Sequence, residues 1–263
     1  MIRNLKFVRE LVKLRMSHLM TFRLGFFGPF FVDSTLFLVQ LLVFQAIYDN
    51  VDMIGTWGKG EMIIFIGTFS LVNALNMVIY FFGVLTIPDK VRTGDFDLYL
   101  TKPVNPLLRI TFEQVNPGSI PLILMSIFII LFGVKAGGFH ITVFQLMGYV
   151  FFVLLMTILW YDMEVLIRTI SFFVISTTNI TKIEEIGLDL CMKIPGVVMK
   201  GIYKVLFYVI LPYGIISTIP TQILTGTITP RGTVFGVFIV SLFTIFTLSL
   251  WKLGLKHYNS ASS

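Results

Sequence analysis

One stretch of the chain, from Met62 to Ile87, runs for 26 residues without a charge. This length exceeds the roughly 20 apolar residues that an α-helix needs to cross the hydrocarbon core of a bilayer. Because lipid cannot satisfy backbone N–H and C=O groups, a stretch of this kind folds as a membrane helix. Only 13% of the residues are charged and 56% are apolar, whereas soluble domains carry about 25% charged residues. The composition therefore excludes an ordinary soluble enzyme.

The chain of 263 residues has room for six membrane spans and for no separate soluble domain. We therefore predict an all-α integral membrane protein with a single domain over 1–263, located as a multi-pass protein in a cell membrane, which we expect to be a bacterial plasma membrane. Apolar and basic residues recur at helical spacing over 1–23, which predicts an amphipathic helix in the cytoplasmic interface. The predicted spans are 24–48, 62–87, 118–134, 141–161, 163–180 and 234–253.

The fifth span has two candidate positions. If 203–224 crosses, 17 basic residues lie inside and three outside, which the positive-inside rule favours. If 163–180 crosses, 12 lie inside and seven outside, with an arginine in the span. Pro212, Gly214 and Pro220 favour this second arrangement, because broken helices at membrane depth persist only where protein or water satisfies the backbone. Both termini are cytoplasmic in either case.

The residues that enzyme chemistry would need are missing. Gly55–Gly60 contains a lysine among glycines, but the glycine spacing of a phosphate-binding loop is absent. His18, His140 and His257 are scattered, with no further ligand at metal-binding spacing. We therefore predict no catalytic residue, no metal site and no directly bound cofactor. The formal charge of +6 comes from residues that flank apolar stretches, so it indicates topology and not nucleic-acid binding.

A few polar side chains fall within the predicted spans. Burying Asp33 in its charged form costs several kcal/mol unless it pairs, so it either contacts a substrate or partner or is a protonated or hydrogen-bonded acid near the inner leaflet. Glu164 and Arg168, four residues apart, are predicted to pair with each other. The candidate pathway or interface residues are Asp33, Asn73, Asn76, Pro212 and Pro220.

The polar segment 89–108 carries apolar residues that a simple connector does not need. Phe96, Leu98, Tyr99 and Leu100 lie among charged residues. This pattern predicts a short helix whose exposed apolar side chains dock into a groove on a partner protein; the alternative is that they fold back onto the membrane interface. The predicted docking residues are Asp89, Arg92, Gly94, Asp95, Asp97, Leu98, Leu100, Lys102, Pro103 and Pro106.

Val91–Pro106 resembles the inner-loop pattern VRTG-(D/E)-(L/F)-D-x-x-L-x-(R/K)-P-x-x-P of permease subunits of type-2 ABC exporters. The tail Gly254–Ser262 and the spacing of Pro195, Pro212 and Pro220 resemble the same family, so the likeness covers essentially the whole chain.

The resemblance implies a six-span subunit that dimerises with itself or with a sibling permease. It also implies two copies of a separate cytoplasmic ATPase, which bind the ATP and Mg²⁺. In such a protein 89–108 is a coupling helix seated in the ATPase and 191–230 forms re-entrant helices at the outer face, which favours 163–180 as the fifth span.

The sequence thus predicts a permease subunit of an ATP-driven exporter, with the translocation path at a dimer interface. Two other classes remain open. An ion-coupled secondary transporter requires several intramembrane acids or an internal repeat, and the sequence shows neither clearly. A non-transporting membrane scaffold or immunity protein shares the hydropathy but moves no cargo with ATP.

Overall fold

A computed structural model describes residues 2–19, 28–174 and 177–258. Within these ranges the chain forms helices joined by short turns, which confirms the predicted all-α class. Parts of the predicted segments 1–23, 24–48 and 163–180, and the end of the tail, lie outside the described residues. In chain order the α-helices are α1 (Ile2–Leu19), α2 (Gly28–Tyr48), α3 (Lys59–Ile79), α4 (Phe81–Val84), α5 (Ile87–Thr93), α6 (Asp97–Leu100), α7 (Pro106–Glu113), α8 (Ile120–Ala136), α9 (Val143–Thr169), α10 (Thr178–Lys193), α11 (Gly201–Val205), α12 (Thr218–Leu224) and α13 (Pro230–His257).

The described residues contain 5 helices that are long and apolar enough to cross a membrane. A bent pair, Gly201–Ile210 and Pro212–Leu224, meets at 85° and raises the number to 6 if it counts as one span. The chain is therefore a multi-pass membrane protein. The long apolar helices are Phe30–Tyr48, Lys59–Ile79, Pro117–Ala136, Val143–Phe172 and Pro230–His257.

The predicted boundary between the spans 141–161 and 163–180 is wrong. α9 runs without a break through Asp162 to Thr169, and a 3₁₀ turn continues it to Phe172. Asp162 is 2% exposed and its carboxylate accepts a hydrogen bond from Thr244 of α13. A charged side chain with a partner inside the bundle does not require the helix to end.

The predicted span 62–87 extends too far at its C-terminal end. α3 stops at Ile79, where Asn116 donates its backbone N–H to the Val78 carbonyl at 3.0 Å. The residues that follow are uncharged because Tyr80 and Ile87 are buried in a second hydrophobic cluster at this end of the bundle. Their burial is in protein rather than in lipid.

α3 packs closely against α8 through small residues. A side-chain carbon added at Gly67 would lie 2.8 Å from Ile130. The hydroxyls of Ser70 and Ser126 share a buried hydrogen bond of 2.7 Å. Close backbone approach and hydrogen bonds of this kind hold helices together where lipid surrounds them.

α10 connects the two ends of the bundle. At one end, which we call the 89–108 end, Thr177 shares a cleft with Pro88 and Asp89. At the other, which we call the opposite end, Pro195 and Val198, just beyond α10, share a cleft with Ile47 and Ile54. The 16 residues of α10 rise about 24 Å at 1.5 Å each. α10 therefore crosses the bundle, whereas the predicted span 163–180 reaches only its first three residues.

The bent segment 201–224 begins and ends at the opposite end. Just before it, Gly196 donates its N–H to Thr218 Oγ1 at 3.0 Å. Just after it, Gly226 lies beside Gln145 in the first turn of α9. Pro212 has no N–H to donate and breaks the segment at its middle. The tip of this segment therefore points into the bundle.

Candidate functional site: the 89–108 segment and the buried cluster above it

Three short helices build the 89–108 segment and the turn after it. α5 ends at Gly94, whose φ of 83° favours glycine because L side chains rarely adopt it. α7 begins after Asn105, whose side chain accepts the N–H of Leu107 at 2.9 Å, and Pro106 occupies the first turn, where no N–H is needed. The segment is thus held in a defined shape by local capping.

One side of this segment packs inward. Phe96 is fully buried, and its ring centroid lies 5.2 Å from that of Phe172 at the end of α9. Trp251 of α13 lies 6.1 Å away and Tyr258 5.2 Å away. Tyr99, three residues on, is 5% exposed. The expectation that Phe96 and Tyr99 are exposed is wrong, because Phe96 packs against aromatic residues at the ends of α9 and α13 and the Tyr99 ring stacks on Phe96 at a centroid distance of 5.9 Å.

A polar cluster fixes α6 to α7. The Tyr99 hydroxyl donates to Glu113 Oε1 at 2.7 Å, and Glu113 also pairs with Lys90 at 3.4 Å and with Arg109 at 3.3 Å. Burial, and then Glu113, raise the pKa of the Tyr99 hydroxyl, which keeps it a proton donor. Burial lowers the pKa of Lys90, and the charge of Glu113 opposes that effect. The Lys90 ammonium and the Arg109 guanidinium also lie over the Tyr99 ring, at 4.5 and 4.3 Å from its centroid.

The other side of the segment is exposed. Leu98 is 60% and Leu100 44% exposed. Asp89 and Arg92 of α5 also form an exposed ion pair of 3.2 Å. The predicted docking residues Asp89, Arg92, Asp95, Leu98, Leu100, Lys102 and Pro103 are exposed, and Gly94, Asp97 and Pro106 are half-buried. We call Leu98, Leu100 and these charged neighbours the outer face of the segment.

The candidate pathway residues do not form one site. Asp33 is 8% exposed and hydrogen-bonds to Asn73 of α3. Asn76, 2% exposed, lies one turn further along α3. Pro212 and Pro220 belong to the bent segment, which contacts α3 through a hydrogen bond from Ser217 to the Phe65 carbonyl, about two turns from Asn73.

A buried ionic cluster joins α9, α10 and the bent segment. Arg168 Nη2 pairs with Glu164 Oε2 at 2.9 Å, which confirms the predicted pair. Arg168 Nη1 pairs with Glu184 of α10, and the Tyr213 hydroxyl donates to Glu184 at 3.1 Å. Trp160 Nε1 donates to Glu164 at 3.1 Å. We call Glu164, Arg168, Glu184 and Tyr213 the buried cluster.

Sequence reasoning found two of these four residues. Glu164 and Arg168 are separated by one helical turn, a spacing that a sequence reveals. Glu184 stands 16 residues beyond Arg168 and Tyr213 another 29 beyond Glu184, so only the tertiary fold brings them together. The sequence signal that could have pointed to Glu184 was its place beside Glu185, in a segment that connects the two ends of the bundle.

The described residues therefore define a helical membrane protein whose ordered 89–108 segment exposes Leu98 and Leu100 and packs Phe96 against the ends of its own long helices. The family model described as ABC-2 family transporter protein matches residues 35–262, and the chain belongs to that family. A comparison with curated proteins found no match, and neither did one with solved structures. Membership supports a permease subunit of an ABC transporter, whose ATPase is a separate component.

Proposed function

We propose that the chain is the membrane-spanning permease subunit of an ATP-driven exporter, and that a separate cytoplasmic ATPase binds the outer face of the 89–108 segment. The observation that carries this proposal is the two-sided packing of that segment. Phe96 on one side is buried against Phe172 and Trp251, whereas Leu98 and Leu100 on the other are exposed. A partner that binds the exposed side can therefore act, through Phe96, on the ends of α9 and α13. The partner binds ATP and Mg²⁺, and this chain binds neither.

The exposed face of α10 supports a path at an interface between two permease subunits. α10 crosses the bundle, yet it exposes Lys182, Glu185, Asp189 and Lys193. Charged side chains at membrane depth face protein or water rather than lipid. A second copy of this chain, or a sibling permease, placed against α10 would enclose that face. The cargo then moves along it while the two subunits rock between two states.

In this proposal the 89–108 end is cytoplasmic. α1, with its basic residues, packs against α7 at this end, and α13 also ends there, at His257. Both termini are then inside, in accordance with the positive-inside rule. The bent segment 201–224 becomes a re-entrant element of the outer half.

Purification of the tagged chain from its native membranes tests this function. We expect the material to carry an ABC-type ATPase and to hydrolyse ATP, and we expect the activity to leave with that ATPase when a high-salt or detergent wash strips it off. Returning the ATPase restores the activity. ATP hydrolysis that stays with the stripped chain, or the absence of any co-purifying ATPase, contradicts the proposal.

A further inference from the structure

The buried cluster has no part in the docking described above, yet it lies directly behind it. Phe172, which packs on Phe96, is four residues from Arg168, so one helical turn separates the 89–108 segment from the cluster. On the far side Tyr213 belongs to the tip of the bent segment. A continuous series of contacts therefore runs from the 89–108 end to the segment that enters from the opposite end.

The cluster divides into two parts. Glu164 and Arg168 belong to α9, as does Trp160, which donates to Glu164, so these contacts lie within that helix. Glu184 belongs to α10 and holds the Tyr213 hydroxyl. The contact between the two parts is the ion pair from Arg168 to Glu184.

Each part keeps a partner when that ion pair opens. Arg168 retains Glu164, and Glu184 retains the hydroxyl of Tyr213. A buried charge that is left alone is costly. The second partners therefore allow the ion pair to open without leaving either charge alone, which a purely structural ion pair does not need. Moreover, Glu184 is the buried charge of a helix that otherwise buries only Gly187 and Cys191. The ion pair is thus a buried polar attachment of α10 to α9.

We propose that the Arg168–Glu184 ion pair, together with the Tyr213 hydroxyl, is the joint through which the ATPase-bound 89–108 segment positions the bent segment 201–224. This inference rests on the proposed function. Arg168, Glu184 and Tyr213 are positioning residues: they touch neither nucleotide nor cargo, and they act by tying α9 to α10 and to the tip of the bent segment.

The variant Glu184→Leu with Tyr213→Phe removes the joint cleanly. Arg168 and Glu164 stay paired and neutral together, and no hydroxyl is left without an acceptor. We therefore expect the variant to fold and to melt at nearly the native temperature. Glu184→Gln is the conservative variant, because a neutral amide can still accept from Arg168 and hydrogen-bond to Tyr213.

The readout is the labelling rate of a cysteine at Ile202 in the complex of permease and ATPase. Ile202 is 77% exposed in the bent segment, whereas the native Cys191 is buried. We expect MgATP to change the maleimide labelling rate at this position by about fivefold or more in the otherwise native chain, a usual size for coupling between sites. In Glu184→Leu/Tyr213→Phe the ratio should fall to about 1, and Glu184→Gln should keep most of the response.

The control is Ser70→Ala with Ser126→Ala, which removes a buried polar pair between α3 and α8. It should keep the full ATP response. If Glu184→Leu/Tyr213→Phe fails to fold, Tyr213→Phe alone serves, since it releases the tip of the bent segment and leaves every charge paired; its response should also fall.

Two results overturn the inference. One is a full ATP response in the folded variant without the joint. The other is no ATP response at Ile202 even in the native background, since the joint then has no motion to transmit. Co-purification and ATP hydrolysis, measured on the same samples, report on the proposed function separately: they should be native in all these variants, and their absence in the native chain would count against the docking itself.

Discussion

Replacing Leu98 and Leu100 together by Asp is expected to abolish co-purification of the ATPase. Burial of an exposed leucine in a partner contributes about 1.5–3 kcal/mol. The loss of two such side chains, with two charges placed in the contact, weakens binding by more than about 100-fold, because each 1.4 kcal/mol is a factor of ten. The measurement is the ratio of ATPase to permease after purification of the tagged chain. Both side chains point away from the bundle, so the chain itself should still fold.

The matched control lies at the opposite end of the bundle. Val51 and Met53 are 44% and 58% exposed, nearly the same as Leu100 and Leu98. Replacing Val51 and Met53 by Asp adds the same charge to the same kind of surface and should leave the ATPase bound. If instead the Leu98/Leu100 variant keeps its ATPase but expresses poorly or loses thermal stability, the two leucines lie in the membrane interface and the docking surface is elsewhere.

Arg168→Leu is expected to have the largest effect on stability. It leaves Glu164 and Glu184 buried with no cation between them. Breaking a buried ion pair from one side typically costs about 3–5 kcal/mol, a large part of the stability of an ordinary domain. We expect little folded protein at the native growth temperature, or a strongly lowered melting temperature in detergent.

The companion variant adds Glu164→Gln, Glu184→Leu and Tyr213→Phe to Arg168→Leu, so that no charge remains, the Trp160 N–H keeps an acceptor and no hydroxyl is left without one. Replacing a whole buried ionic group by uncharged, well-packed residues is often neutral or stabilising, so most of the lost stability should return. A melting temperature for Arg168→Leu alone that equals the native one would show that water reaches Arg168, and the cluster would then not be the closed unit described above.

Hydropathy predicted most of the spans because lipid requires the backbone polar groups to hydrogen-bond within their own helix. Uncharged stretches that are long enough to cross the bilayer form such helices. It missed α10, whose exposed charges Lys182, Glu185, Asp189 and Lys193 lower the average hydropathy of the helix. Under the proposal that a second subunit covers this face, α10 need not be apolar. It also placed a span boundary at Asp162, because a sequence does not show that a charge has a partner such as Thr244.

The position of the 89–108 segment was predicted, but the exposure of its apolar side chains was predicted correctly for only two of the four. Four apolar residues over five positions indicate a contact surface, yet a helix as short as α6 has too few turns for its periodicity to show which side chains face inward. Phe96 is buried because the ends of α9 and α13 supply aromatic partners, and Tyr99 is buried because it stacks on Phe96 and bonds to Glu113, whereas Leu98 and Leu100 are exposed. That distinction depends on residues more than 70 positions away in the chain and on their packing.

Photo-crosslinking from Leu98 tests the central claim most directly. A benzophenone maleimide attached to Leu98→Cys in native membranes should form a crosslink to an ABC-type ATPase, identified by mass spectrometry, and this product would also place the 89–108 end in the cytoplasm. The same reagent on Lys200→Cys, at the opposite end, should give no such product. Crosslinks from Leu98 to lipid alone, or an ATPase product from Lys200 instead, would contradict the account.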